Sequence, residues 1–438
     1  MKKLTILIYY FMTLSLHQVS GQVIFRNFQE FMDYATGTSL GLKNDEIIFS
    51  QAKKAKVAAV LGIVDPQGNI NASFTNNNQL PVSILPAEAV GGTPGEFVKL
   101  QFGLQYVTEA NSYLDFKVFN LGGWENNKLA KINIDLTQTE NKISLKNFLE
   151  NVSNLYFNIV TLQEQSKASL SNLEVAKTLY DISFRKFEQG QISQQDLNDS
   201  KINLLTTQDN LEKIGFQLEK EYLTLKILCD IPDESGISIV QEVSEKGEEG
   251  QLQVELNQLE MNNAMLREAY AISNLRQAKF SQLPTVSFFV SSTRQRFSTE
   301  KYLVNNSFDW IPSNFFGFKL NIPLPTHNNI SAIMKAKYDV VIARNISESS
   351  KIQSELLLKT LESDYEKAIF NRRNQREIYK LRRDSYEKTL LNYQEGIVGM
   401  DRMMDAFNNM VNSNYNLIAS EIAIQVNESK IDIHNKIR

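Results

Sequence analysis

Few residues of this chain could do chemistry, and their types limit what that chemistry would be. Cys229 is the only cysteine, which leaves nothing to build an internal disulfide framework or a Cys-rich metal site. Of the three histidines, His17 falls in the N-terminal segment expected to be removed. His327 and His434 are too few for a His-based triad or a multi-His metal centre. Met400, Met403, Met404 and Met410 resemble a soft-metal cluster, but Met403, Met404 and Met410 also fall at helical core spacing, where adaptable packing is the expected role. Met400 is the member that spacing explains least. Gly91-Gly92-Thr93-Pro94-Gly95 is too short for a phosphate loop and lacks its lysine, so it reads as a flexible external loop. Lys53-Lys54-Ala55-Lys56 reads as a solvated helix face. No cluster of acids, histidines or nucleophiles marks a catalytic, cofactor or metal site, and the chain is not expected to be an enzyme.

The bulk composition narrows the choice further. Lys and Arg total 46 against 50 Asp and Glu, a net charge of −4 over 438 residues, so nothing marks a nucleic-acid binder. Lys2 and Lys3 precede the mostly apolar run Leu4 to Leu16, and Val19-Ser20-Gly21 offers small residues for cleavage before Gln22. Residues 1–21 therefore read as a secretory signal, the run being short for a membrane span. No cysteine sits at the cleavage site, so a lipoprotein anchor is not expected. An exported chain of this size with a single cysteine fits a bacterial envelope.

The elements that must position any working residue are written twice. Gly190 lies in Phe187-Glu188-Gln189-Gly190-Gln191-Ile192 and Gly396 in Tyr393-Gln394-Glu395-Gly396-Ile397-Val398. Each aromatic-x-x-Gly turn ends a long stretch without Gly or Pro and opens a second helical stretch. Leu145, Phe148, Leu149, Val152, Leu155, Tyr156 and Ile159 recur at the three- and four-residue steps of one helical face. After the first turn Leu197, Leu204, Leu211, Leu218 and Leu225 recur every seven residues, a coiled-coil seam. The second copy runs from His327 to Tyr393 and returns from Asp401 to about Val426, with Met403, Phe407, Met410, Ile418 and Ile422 along one side. From Trp124 to Gln189, a continuous helix would be about 100 Å long.

Short alternating segments precede each hairpin. Ile70, Ala72 and Phe74 alternate with polar neighbours, as do Val98, Leu100, Phe102, Leu104 and Tyr106. In the second copy Val286, Phe288 and Val290 alternate with Thr285, Ser287 and Ser291, with Phe289 as the exception, and Phe316, Phe318, Leu320 and Ile322 follow the same rule. Such period-two runs suit either a soluble sheet with one buried face or a transmembrane barrel. Four strands are too few to close a barrel and would leave open edges, which several chains together could pair. The division expected is a signal at 1–21 and a first repeat at 22–231, with strands near 57–80 and 97–119 and a hairpin at 123–230. A linker or small side element follows at 232–255, containing Glu245-Lys246-Gly247-Glu248-Glu249-Gly250. The second repeat is expected at 256–438, with strands near 284–297 and 314–323 and a hairpin at 327–432.

In this order of elements the chain resembles the TolC-type outer-membrane efflux proteins over essentially all of its mature length. The junctions Asp115-Phe116-Lys117-Val118-Phe119-Asn120 and Gly317-Phe318-Lys319-Leu320-Asn321-Ile322-Pro323-Leu324, with the two Gly turns, carry the resemblance. It implies a mainly α protein with a β-barrel part. Long helical hairpins would form an α-barrel tunnel, and four strands per chain would contribute to a trimeric twelve-stranded transmembrane β-barrel. The implied partners are two further copies in a homotrimer, outer-membrane lipid, a periplasmic adaptor (membrane fusion) protein and, through it, an inner-membrane transporter. No cofactor is implied. By position, Gly190, Gln191, Gly396 and Ile397 would receive the adaptor. Gln195, Asp196 and Tyr393 would hold the periplasmic gate shut, and Asp405 would form an acidic ring. Two positions depart from the family: Val398 replaces a gate-locking arginine, so that salt bridge cannot form, and Arg402, beside Asp401, replaces an upper acidic ring. Arg402 and Asp405 either form an ion-pair network among copies or belong to a solvated helix start. A periplasmic coiled-coil adaptor or scaffold protein is the alternative, since it would share the signal and the hairpin but need no barrel strands.

Overall fold

The structure is a computed structural model that describes residues 23–241, 253–299 and 309–438. The expected signal segment and the Glu245–Gly250 stretch lie outside the described residues. The chain divides into two units, residues 1–47, 139–262 and 349–438 in one, and 48–138 and 263–348 in the other. In order, the elements are β1 (Val23–Phe25), α1 (Phe28–Thr38), α2 (Leu40–Val64), β2 (Gln67–Asn76), β3 (Val82–Pro86), β4 (Phe97–Gln101), β5 (Tyr106–Phe119), α3 (Leu121–Glu188) and α4 (Gln194–Leu228). They continue with β6 (Ile237–Ile239), α5 (Leu259–Phe280), β7 (Thr285–Ser298), β8 (Ile311–Asn321), α6 (His327–Gln394) and α7 (Met400–Lys436).

The second unit is built on a four-stranded sheet in the order β2-β5-β7-β8, antiparallel throughout. Because side chains alternate, the register sorts every residue onto one of two faces. One face is mostly polar, with Gln67, Asn69, Asn71, Ser73, Thr75, Glu109, Asn111, Tyr113, Asp115, Lys117, Ser287, Ser291, Thr293, Gln295 and Lys319, and also carries Val107, Phe289, Phe297, Ile311 and Phe315. The other carries Ile70, Phe74, Leu114, Phe116, Val286, Phe288, Val290, Phe316, Phe318 and Leu320. The apolar face is open to its surroundings: Ile70 is 82% exposed, Phe316 75% and Phe318 73%. Phe289 breaks the alternation for a local reason. Its cross-strand partner is Gly317, and a Cβ there would lie 3.1 Å from the Phe289 ring. The ring covers the glycine and stacks on Tyr113 at 6.0 Å, the aromatic rescue of a strand glycine.

All four strand-to-helix junctions lie at one end of this sheet. There Lys117 Nζ meets Asp65 Oδ2 at 2.5 Å. Asn120 donates from Nδ2 to the carbonyls of Gly62 and Ile63 at 3.2 and 3.3 Å while Oδ1 accepts from the Gly123 N–H at 3.0 Å. One side chain thus caps the end of α2 and the start of α3.

Two expectations are corrected here. The stretch from Val57 to Val64 is the end of α2, and the strand begins at Gln67. The alternation of Val98 and Leu100 does form a strand, β4, but it pairs with β3 in a separate two-stranded ribbon at Val82–Pro86 and Phe97–Gln101. The sheet strand that follows β2 is Tyr106–Phe119.

The first unit is helical. Val152, Tyr156, Phe157, Ile159 and Val160 of α3 pack with Leu225 of α4, Ile422 of α7, and Phe31 and Ala35 of α1. Leu145, Phe148 and Leu149 extend the same α3 face into an adjoining cluster with Met32 and Ile433. β1 pairs parallel with β6, so part of the expected linker is a strand that packs Ile237 and Ile239 on this core. Cys229 ends α4 fully buried there, and burial, with Asp230 beside it, pushes its thiol up to about 12. The folded state therefore favours the protonated thiol. Its contribution is full below the unfolded value of about 8.5 and is lost as pH rises towards about 12. Alkylation of Cys229 at pH 8 is expected only on unfolding; rapid labelling of the native protein would contradict this burial. His434 is also buried, its Nε2 lies 3.1 Å from the Glu255 carbonyl, and desolvation lowers its pKa.

Candidate functional site at the two helix turns

The two Gly turns close by the same hydrogen bonds. At the first, Gly190 N–H donates to the Phe187 carbonyl at 2.9 Å and Gln191 N–H to Lys186 at 2.8 Å. At the second, Gly396 donates to Tyr393 at 3.1 Å and Ile397 to Asn392 at 2.8 Å. Both are Schellman motifs. Their glycines take φ of 69° and 77°, the left-handed region in which a Cβ is penalised. Gly190, Gln191, Gly396 and Ile397 are all exposed, Ile397 by 66%.

The helices that leave the turns start differently. Ser193 caps α4 in a complete capping box. Its Oγ accepts from Asp196 N–H at 3.1 Å, and Asp196 Oδ2 accepts from Ser193 N–H at 3.0 Å and Oγ at 2.7 Å. Gly399, at the matching place before α7, has no side chain to offer a cap bond.

Beside the turns Ala176 and Leu179 of α3, Tyr386 and Tyr393 of α6, and Met400, Met403 and Phe407 of α7 form one buried cluster. Met404 and Met410 pack against it, and Met400 and Met403 are 2% and 0% exposed. These methionines are core residues, which accounts for Met400. Tyr393 is the most constrained member. Ser183 Oγ donates to the Leu179 carbonyl at 2.8 Å, so the Tyr393 phenol, 3.0 Å away, donates to Ser183. Lys186 Nζ hydrogen-bonds the Tyr393 carbonyl and stands 4.6 Å over its ring, an added cation–π contact. Burial raises the pKa of the phenol, and the charge of Asp196 raises it further.

Of the expected gate residues, the structure thus brings Asp196 within electrostatic reach of Tyr393 but gives its hydrogen bonds to Ser193. Gln195, Arg402 and Asp405 are exposed, and no salt bridge joins Arg402 to Asp405 among the described residues. Sequence reasoning missed Ser183 and Lys186. One signal was available: Tyr393 matches Phe187 in the other copy, and a hydroxyl added at a buried aromatic position needs a partner.

Several of the buried positions of α3 and α4 near the first turn are polar. Ser183, Ser200, Asn203 and Thr207 are buried along α3 and α4 near the first turn, and Ser200 Oγ and Asn203 Nδ2 lack hydrogen-bond partners. Farther from the turn the same two helices bury Val152, Tyr156, Ile159 and Leu225.

No family model matches the sequence, and no curated protein matches it. Solved structures do. A membrane protein from Pseudomonas aeruginosa superposes with a TM-score of 0.74 at 12% identity, covering 94% of this chain and 91% of that one. The CmeC outer membrane channel of Campylobacter jejuni gives 0.69 at 15%, covering 96% and 89%. The outer membrane protein VceC of Vibrio cholerae gives 0.67 at 12%, covering 93% and 95%. The likeness is one of fold, and the fold of this chain is that of the TolC-type outer-membrane efflux channels.

Proposed function

We propose that the protein is the outer-membrane channel of a tripartite efflux or type I secretion system, a passive trimeric duct without a catalytic site. The observation that carries this reading is the sheet of β2, β5, β7 and β8. Its polar face suits a water-filled lumen and its exposed apolar face suits lipid. Its edge strands β2 and β8 have no second strand beside them among the described residues, a state that hydrocarbon does not tolerate. The strands alternate in direction, so β8 of one chain would meet β2 of the next antiparallel, and three chains would close a ring of about twelve strands. No helix among the described residues is long and apolar enough to cross a membrane, which leaves the sheet as the spanning element.

In this reading the turns lie at the periplasmic end. A periplasmic adaptor protein, linked to an inner-membrane transporter, docks on exposed Gly190, Gln191, Gly396 and Ile397. Docking separates the hairpins around Tyr393, Asp196 and Gln195, and Arg402 and Asp405 line the constriction. Electron microscopy of the mature protein in detergent tests the assembly. Three-fold particles with a detergent belt are expected; beltless rods or compact particles would overturn the channel reading and favour a soluble adaptor.

A further inference from the structure

Ahead of α5 the chain runs as a strap without regular structure, Gln253–Gln258, along the end of α7. Two asparagines tie it down. Asn435 Oδ1 accepts from the Glu255 N–H at 2.9 Å, and its Nδ2 donates to the Gln253 carbonyl at 3.0 Å. Asn257 Nδ2 donates to the carbonyls of His434 and Ile437, both at 2.6 Å, and its Oδ1 accepts from the Leu259 N–H at 2.9 Å. Val254, 8% exposed, packs with Tyr365 and Ala368 of α6 and Ile424 and Ile431 of α7. At the rim Arg438 pairs with the Glu255 carboxylate.

His434 is the third tie, and the one that can titrate near neutrality. Its ring is buried, with Nε2 3.1 Å from the Glu255 carbonyl. A carbonyl only accepts, so Nε2 carries the hydrogen and the ring is neutral. That leaves Nδ1 as a buried lone pair without a hydrogen-bond partner. A second proton can go only there, and it would create a buried cation whose new N–H has no acceptor. The surroundings do not offset this. Lys146 of α3 and Glu260 of α5 face the ring as an ion pair 2.5 Å long. Of the two, the ammonium acts more strongly on the imidazole, in the same direction as burial. Glu150, one turn along α3, interacts with Lys146, Glu260 and Lys430 of α7, and burial raises its carboxyl pKa. The C-terminal end of α7 favours a cation, a gain smaller than the lost hydration of an unpaired charge.

We propose that His434 is an acid-sensitive latch: protonation at Nδ1 releases Gln253–Gln258 from the end of α7 and uncovers the apolar seat of Val254 on α6 and α7. The closed strap favours the neutral ring, whose pKa is lowered. The contribution of His434 is therefore full above about 6.5, the ordinary imidazole value, and is lost as pH falls from there towards the lowered value. Glu150 acts the other way, since burial favours its protonated form.

The test is deuterium exchange of the strap amides in the full mature protein, at pH 7.5 and 5.0. Each sample is compared with His434→Gln at the same pH, so that the intrinsic effect of acid cancels. Gln keeps an N–H donor for the Glu255 carbonyl and does not titrate. Matching exchange is expected at pH 7.5. At pH 5.0 the native strap should exchange faster by about threefold to 30-fold, the upper figure being the limit set by an ordinary imidazole in the released state. Amides of α3 around Tyr156 should not follow. Equal exchange of the two proteins at pH 5.0, with both straps closed at pH 7.5, overturns the latch. If the glutamine variant is already loose at pH 7.5, the native protein decides alone. Opening that sets in below about pH 6.5 with the slope of one proton supports His434, and opening confined to the carboxylate range, below about 4.3, overturns it. Glu150→Gln should keep the response; losing it would move the switch to that carboxyl and overturn the assignment to His434.

Discussion

Replacing Tyr393 and Asp196 together by alanine is expected to raise the resting permeability of the outer membrane to large antibiotics. Tyr393 ties α6 to α3 three times, through its phenol on Ser183, its carbonyl on Lys186 and its ring under the same ammonium. Truncating a buried aromatic to alanine typically removes about 3–5 kcal/mol. Loss of the capping box held by Asp196 adds about 0.5–2 kcal/mol at the neighbouring helix start. The cluster that would relax lies beside both turns, so the effect falls on the proposed gate while the Val152, Tyr156 and Leu225 core is untouched. Tyr393→Phe keeps the ring and loses only the phenol bond, about 1 kcal/mol, and should leak far less. Susceptibility to a large antibiotic and single-channel conductance read both variants. Unchanged permeability in the double variant, with normal assembly, would remove Tyr393 and Asp196 from the gate.

The second large effect concerns the barrel. Phe318 and Lys319 are adjacent in β8 and project to opposite faces, with Phe318 73% exposed on the apolar side. In the proposed barrel Phe318→Arg puts a charge into lipid, at a cost per chain below the about 2–4 kcal/mol of the bilayer midplane because Phe318 lies towards the junction end of the sheet, and the cost is repeated in every copy. The trimer should not accumulate in the membrane. Lys319→Glu faces the proposed lumen, so the proposed trimer should assemble with its ion selectivity moved towards cations. Size-exclusion of membrane extracts and bilayer recordings distinguish the two. Normal assembly of Phe318→Arg would show that the faces have been assigned the wrong way round.

The helices and turns could be read from the sequence because each carries a long-lived local signal. The seven-residue leucine step survives as Leu197 and Leu225 buried, with Leu204 and Leu218 half-buried against their clusters. The glycine turns announced themselves by the residue that alone tolerates their φ. Strand positions were harder to place. Val57, Val60, Leu61 and Val64 are apolar at helical steps and belong to α2. In β5 the residues Thr108, Ala110 and Ser112, on the same face as Leu114 and Phe116, blur the alternation that Leu114 and Phe116 later restore, so the cleaner pattern around Val98 drew the strand too early. At the turns, the Gly residues were legible and the lock was not. Lys186 reaches Tyr393 across 207 residues of chain, and no local pattern encodes such a contact.

The two open edges also bear on inheritance. β2 and β8 differ in sequence, so each proposed contact between chains is head-to-tail, and every chain serves one neighbour with β2 and the other with β8. A chain with an intact β2 and a ruined β8 can still occupy a neighbour while leaving the ring unable to close. In a cell making equal amounts of sound and defective chains, only about one trimer in eight would be wholly sound if subunits mix at random. A lesion in β8 would therefore be dominant, and its severity would follow the cube of the sound fraction.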